Sequence, residues 1–315
     1  MSDENRIAVI SHRGWLSSAI VEALAAACTH LKVLYRPGSD ISGLPANVTA
    51  VEVDLEDHGS LVAAFQDINI VVSLCGHGGV ARQQAFVKAI QRSPVQLFSP
   101  SDFAARYDEQ GLRIPVNKNK DDVERAAHEA GIPTTVVLPG NLAEFALNTR
   151  AMGVDLAENK LIFMGNSAEE QINLCTRPYV AAAFASIFAH TPISQLKNRA
   201  IGLSELRVTG KELAEVLEKK HGKPPTIFRQ GLSKVNEQVE TLLRDGSPFA
   251  LAWYCRKIWG TGQQVEMVGE DIWEVPNFHK ATLEDLIVGG KLGQYRAMPA
   301  QIDEFFRGTF FDSEQ

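Results

Sequence analysis

The sequence is poor in features that would assign it to several large functional classes. It has no concentrated basic stripe, and its 31 Lys and Arg are outnumbered by 38 Asp and Glu, for a net charge of −7. Direct binding to nucleic acid is therefore not expected. The four cysteines, Cys28, Cys75, Cys175 and Cys255, are far apart and match no zinc or redox spacing, so reduced core thiols are expected, with no metal site. No apolar run reaches the ~18 residues needed to span a bilayer. The opening "MSDENR" is polar and acidic, unlike a signal peptide. His-Glu-x-x-His, Cys-x-x-Cys and Gly-x-Ser-x-Gly are all missing, and "GHGG" at Gly76–Gly79 lacks the Lys-Ser/Thr of a phosphate-binding P-loop. These absences leave a soluble, cytoplasmic globular protein as the expectation.

The first half alternates strand and helix signals. Strands are expected at Ile7–Ile10, Leu31–Tyr35, Val48–Val53, Ile70–Leu74, Val95–Ser99 and Thr134–Leu138. Helices are expected at Trp15–Ala27, Ser60–Phe65, Val80–Gln91 and Asn117–Ala130. This alternation predicts an α/β fold, a Rossmann doubly wound parallel sheet with its ligand crevice at the carboxyl ends of the strands. In the second half, "LIFMGN" and "QINLC" read as strands, and Thr176 caps a helix over Arg177–Phe188. "ELRVTGKELAEVLEKKHGKPPTIF" reads as strand, helix and strand, with Thr209 as cap and Gly222 as stop. Leu232–Ile258 reads as helical, and Thr282 caps a last helix in "KATLEDLIVGG". A boundary near Gly140 divides residues 1–140, a nucleotide-binding domain, from a smaller α/β substrate-binding region at 141–315 packed on the first.

The turn after the first strand, "SHRGWLSS", stands where dinucleotide-binding chains place three glycines. The first permits the turn, the second lets the backbone approach the pyrophosphate, and the third lets the helix pack on the sheet. Here the positions read Ser11, Gly14 and Ser17. Trp15 and Leu16 open the helix whose free N–H groups would face phosphates, and Arg13 adds a cation. Arg36, followed by Ser39 in "RPGS", ends the second strand where an acid would select NAD and an arginine suits the 2′-phosphate of NADP. Asp54 and Leu55 stand where an adenine would lie. Ser73, Leu74, Cys75 and Gly76 end the fourth strand, and Pro139, Gly140 and Asn141 follow the sixth. His77 in "SLCGHGGV", Ser99 and Ser101 in "FSPSDF", and Tyr107 are substrate-side candidates, although a loop histidine and turn-capping serines explain them as simply.

The order and spacing of these segments, together with "KDDVERAAHEAGIPTTVVLPG" at Lys120–Gly140 and "KATLEDLI" at Lys280–Ile287, resemble the NmrA-like group of atypical short-chain dehydrogenases, near the isoflavone and phenylcoumaran benzylic ether reductases. The resemblance implies a domain that binds NADPH and a C-terminal part that closes over a small-molecule substrate. A homodimer is compatible with it. It also implies that Lys120, at the start of the helix before "GIP", contacts the nicotinamide ribose and assists proton transfer, with Lys118 as the fallback. A surface lysine in a charged first turn is the plain alternative. The Tyr-x-x-x-Lys tyrosine of ordinary short-chain enzymes is missing, since Val116 stands four residues before Lys120.

Three functions follow as expectations. The first is an NADPH-dependent reductase of a bulky apolar or aromatic compound in secondary metabolism, with Phe249, Trp253, Tyr254, Trp259 and Trp273 available to line its pocket. The second is an NADP-sensing regulator without turnover. The third is a redox-neutral isomerase, lyase or cyclase whose altered turn has weakened or lost the cofactor.

Overall fold

Ile7–Ile10 (β1) is four apolar residues, each fully shielded from solvent. Only a strand covered on both faces allows this, and the pleat shares the burial out. Ile7 and Val9 pack with Ile20 and Leu24 of the helix Trp15–Ala27 (α1). Ala8 and Ile10 point the other way, into a core with Phe65, Phe86 and Val123. The computed structural model describes residues 4–313.

The first half continues through Leu31–Tyr35 (β2), Thr49–Glu52 (β3), His58–Ala64 (α2), Ile70–Ser73 (β4), Gln83–Ile90 (α3), Leu97–Ser99 (β5), Glu109–Leu112 (α4), Pro115–Glu129 (α5) and Thr135–Leu138 (β6). The sheet order is β3-β2-β1-β4-β5, and every pairing is parallel. Phe98 bridges to Thr134 in parallel, which brings β6 alongside β5. The chain reverses direction across the sheet between β1 and β4, so a crevice opens at the carboxyl ends of those two strands. The expected α/β class and the parallel sheet are present. The segment read as one helix from Val80 splits in two: residues His77–Arg82 form a tighter 3₁₀ turn before α3 begins.

The second half contains Asn141–Leu142 (β7), Ala143–Asn148 (α6), Val154–Asp155 (β8), Lys160–Met164 (β9), Ile172–Cys175 (β10), Arg177–His190 (α7), Arg199–Gly202 (β11), Leu206–Val208 (β12), Gly210–His221 (α8), Thr226–Gln230 (β13), Leu232–Arg244 (α9), Ala250–Gly260 (α10), Gln263–Val268 (α11), Leu283–Ile287 (α12) and Ala300–Arg307 (α13). Two small sheets, β12-β10-β7 and β13-β9-β8, surround a second core that includes Trp253, Tyr254 and Trp259. Two elements return to the first half: β11 pairs in parallel with β6, and Phe184 and Phe188 of α7 share a core with α1.

Local signals account for the helix ends. Thr176 accepts from the Tyr179 N–H, Thr209 and Glu212 cap each other reciprocally, and Thr282 and Asp285 do the same. Gly222 ends α8 in the left-handed region at φ 68°. The stretch Leu232–Ile258, read as helical, forms two helices, α9 and α10. The break falls at Asp245–Phe249, where Gly246 has φ 63°.

Candidate functional site

The turn between β1 and α1 keeps its shape without its first glycine. Ser11 has φ +74°, a conformation that costs an L-residue about 1–2 kcal/mol. Its hydroxyl lies 3.3 Å from the Cys75 sulfur, across the gap between β1 and β4. Gly14 caps α1 in extended geometry, and a Cβ there would stand 2.8 Å from Ser17 Oγ. Ser17, in the third glycine's place, donates to the Leu74 carbonyl at 3.2 Å. A hydrogen bond has replaced bare backbone packing at the helix–strand contact.

This turn forms one wall of a cavity of about 340 Å³ at the crevice. Of the residues expected at a nucleotide site, Ser11, Arg13, Gly14, Trp15, Leu16, Arg36, Ser39, Leu55, Leu74, Cys75, Gly76 and Lys120 line it, and so do His77 and Ser101 from the substrate-side set. A neighbouring cavity is lined by Arg36, Arg82 and Arg296, with His77 and the bare backbone of Gly76 and Gly78. A Cβ on either of those glycines would meet nothing within 4 Å, so both leave room for a ligand.

Other expected residues stand back from the wall. The Asp54 carboxylate turns to accept from the Glu56 N–H at 2.9 Å. Ser73 and Ser99 are buried in the sheet, and neither hydroxyl has a partner. Pro139, Gly140 and Asn141 are drawn toward the second half, where Asn173 Nδ2 donates to the Pro139 carbonyl at 3.0 Å. Their neighbour Leu142 reaches the cavity instead. Ser101 does reach it, but its hydroxyl is already donated to the Cys75 carbonyl at 2.6 Å. The aromatics expected in a pocket serve the core instead. Trp253, Tyr254 and Trp259 are buried, Phe249 stacks on Phe305 at 3.8 Å, and Trp273 donates to Ser186.

The helix α5 separates the two candidate lysines. Its buried face carries Asn117, Lys120, Val123 and Ala127. Lys118 points outward and pairs with Asp122 at 2.8 Å. The Lys120 side chain is 6% exposed, which rules out the plain surface lysine. Lys120 donates to the Tyr107 phenol oxygen at 3.2 Å, and Tyr107 donates to Asp102 at 2.8 Å. Burial raises the Asp102 carboxyl above its usual range, partly offset by Lys120 and by the Tyr107 hydrogen bond. Burial, followed by the Asp102 charge, holds the Tyr107 phenol well above 10. His77 stands exposed at the cavity mouth, and its pKa is lowered to about 4, first by partial loss of water and then by the Lys120 and Arg296 cations.

Sequence reasoning missed several wall residues. Asp102 lies inside the quoted "FSPSDF", but its pairing depends on Tyr107 and Lys120. Tyr295 and Arg296 belong to a segment without regular structure, which has no periodic signal. Contacts fix that segment over the start of α1: Trp15 Nε1 donates to the Gln294 carbonyl at 2.9 Å, and the Trp15 and Tyr295 rings meet edge-on at 4.9 Å. All four cysteines are free, and no helix among the described residues is long and apolar enough to cross a membrane.

The chain is 30% identical over 181 residues to an isoflavone reductase-like protein of Olea europaea, covering 53% of this chain and 59% of that one. It is 31% identical over 187 residues to phenylcoumaran benzylic ether reductase Pyrc5 of Pyrus communis, covering 55% and 61%. It thus spans about three fifths of the length of these relatives. The binary complex of leucoanthocyanidin reductase with NADPH from Vitis vinifera matches the fold with a TM-score of 0.73 at 18% identity, over 90% of this chain and 98% of that chain. AtPrR2 with NADP+ and (+)pinoresinol matches with a TM-score of 0.70 at 20% identity, over 98% and 99%. The NmrA-like family profile matches residues 3–243, and the chain belongs to that family.

Proposed function

We propose that this protein is an NADPH-dependent reductase of a bulky apolar or aromatic small molecule, acting in secondary metabolism. The observation that carries this reading is Ser11 at φ +74°: the residue in the first glycine's place takes the left-handed backbone that a glycine there would supply, which supports a turn still open to a dinucleotide. The names of the relatives, isoflavone reductase-like protein and phenylcoumaran benzylic ether reductase, support the same chemistry. The start of α1, with Ser11, Gly14, Trp15 and Leu16, would hold the pyrophosphate. Arg36, joined by Arg82 and Arg296, would hold the 2′-phosphate. The bound nucleotide supplies a hydride. Lys120 lies on the cavity wall, where it can hold a proton near a reacting oxygen. Residues 1–140 carry the nucleotide, while Leu142 and Tyr295 from residues 141–315 add apolar wall beside Trp15 and Phe103.

Calorimetric titration with NADPH, NADP+ and NADH tests the reading. Tighter binding of NADPH than NADH, with NADPH consumption in a screen of carbonyl and enone compounds, is expected. No binding at millimolar nucleotide would favour a redox-neutral enzyme. Binding without consumption would favour a sensor.

A further inference from the structure

A strap from the C-terminal part crosses the mouth of the nucleotide site. It runs from Gly290, where φ is +68° just past α12, to Pro299, which caps α13. The family profile matches residues 3–243, so the strap lies outside that match. Both of its ends are fixed. The Lys291 and Leu292 N–H groups donate to the Asp285 and Leu286 carbonyls of α12, each at 3.1 Å. Beyond the other end, Phe305 of α13 stacks on Phe249, and Asp303 pairs with Arg150.

The middle is held lightly. Among the described residues, none accepts a hydrogen bond from the backbone N–H groups of 294–298. Leu292, Tyr295 and Met298 are half-buried, and the other strap residues are exposed. Leu292 and Met298 belong to the two ends, which leaves Tyr295 as the central anchor. Segments with so few buried contacts open locally at low cost.

Tyr295 packs edge-on against Trp15 of α1 and Phe145 of α6, at 4.9 and 5.5 Å between ring centres. Trp15 is fixed independently of the strap. The Arg177 guanidinium lies 5.5 Å from its ring centre and donates to its carbonyl at 2.6 Å. The seam therefore opens by lifting the strap from a stationary indole.

Tyr295 lines the main cavity, and Arg296 lines both that cavity and its neighbour, beside Arg36 and Arg82. A dinucleotide with its pyrophosphate at the start of α1 and its 2′-phosphate at Arg36 passes both strap residues.

We propose that the strap is a clasp on the bound nucleotide: the Trp15–Tyr295 seam is its latch, and Arg296 is the residue through which the 2′-phosphate holds it closed. This rests on the reductase reading. The nucleotide binds and leaves only while the seam is open. Once bound, its 2′-phosphate adds a charged contact that exists only with the strap down, so NADPH closes the clasp more firmly than NADH.

Stopped-flow association of NADPH, and its displacement by excess NADP+, test the latch. Tyr295→Ala should speed both association and release about tenfold, the worth of the two edge-on contacts it loses. Tyr295→Phe keeps the ring and should behave like wild type. Unchanged release in Tyr295→Ala overturns the proposal. So does faster release with unchanged association, because the strap would then be a fixed wall.

Trypsin gives a second readout. Cleavage after Arg296 is compared with cleavage after Lys197, an exposed loop residue outside both cavities, each rate divided by that of the unfolded chain. NADPH at about ten times its dissociation constant should slow the Arg296 cut about tenfold relative to Lys197, and NADH at equal occupancy should slow it less. No protection by NADPH overturns the proposal, and equal protection by the two nucleotides removes Arg296 from it. In the unliganded protein, Tyr295→Ala should be cut after Arg296 about tenfold faster than wild type, and equal rates overturn the latch. If the wild type binds no NADPH, the reductase reading fails, while cleavage of the unliganded protein still decides whether Tyr295 holds the strap.

Discussion

The hydroxyl of Ser17 stands 2.8 Å from where a Cβ on Gly14 would lie, so the residue in the third glycine's place guards the second. The backbone at Gly14 is ordinary, with φ −67°, and does not itself require glycine. Gly14→Ala would displace the Ser17 hydroxyl from the Leu74 carbonyl at a cost of about 1 kcal/mol. In Gly14→Ala/Ser17→Ala that hydroxyl is gone, so the double variant should lose less than the sum of the singles. Urea denaturation of the four proteins should give a coupling of about 1 kcal/mol. Additive losses would mean that the clash is relieved elsewhere.

At Ser11 the conflict lies in the backbone. Ser11→Gly would release the left-handed strain but also loosen the unfolded chain, and these effects oppose each other at about 1 kcal/mol each. The variant should therefore melt close to wild type and bind NADPH at least as well. Ser11→Val, with a branched Cβ at φ +74°, should lose about 2 kcal/mol or more and weaken NADPH binding at least tenfold. Equal affinity in all three proteins would separate the turn from the nucleotide site.

These two serines also show what the sequence could reveal. The strand–turn–helix frame was legible because Ile7–Ile10 is uniformly apolar and α1 repeats its apolar residues at helical spacing. Whether Ser11 could adopt the turn was not legible, since φ is set by neighbours as well as by residue type. Lys120 was singled out through the family resemblance, which places a lysine at that distance before "GIP", and it does line the cavity. Its partners were not legible, because Tyr107 and Asp102 reach it only after the loop folds back on α5. The helical character of Leu232–Ile258 was legible, but the break between α9 and α10 was not, because apolar spacing continues past Gly246, whose positive φ turns the chain. Arg296 left no trace in local pattern, being placed by contacts that include the Trp15–Gln294 hydrogen bond.

Arg36, Arg82 and Arg296 come from three distant segments and line one cavity, with no carboxylate among its lining residues. A dianionic phosphate fits this arrangement, whereas a bare ribose hydroxyl gains little from it. Arg36→Ala should weaken NADP+ binding by ten- to a hundredfold while changing NAD+ binding less than threefold, given about 1.5–3 kcal/mol for a hydrogen bond to a charged group. Arg82→Ala and Arg296→Ala should each act in the same direction. Titrations at several salt concentrations would check this, because the selectivity of the wild type should fall as salt rises. A loss that is equal for both nucleotides would place these arginines away from the 2′-phosphate.

His77 provides a test by pH. Its pKa is lowered in the folded protein from 6.5 to about 4, first by partial loss of water and then by Lys120 and Arg296. The unfolded chain takes up the proton as the pH drops below about 6.5, while the folded protein resists it until about 4. Protons therefore favour unfolding within that window. The stabilising contribution is complete above pH 6.5 and is lost as the pH falls through 4. His77→Gln should remove this part of the slope, so wild type should lose more stability than the variant between pH 7 and pH 4 in urea melts. Arg296→Ala removes one of the opposing cations and should move the His77 ring titration, followed by NMR, back toward 6.5. Parallel pH profiles for wild type and His77→Gln would mean that the histidine is solvated as an ordinary loop residue.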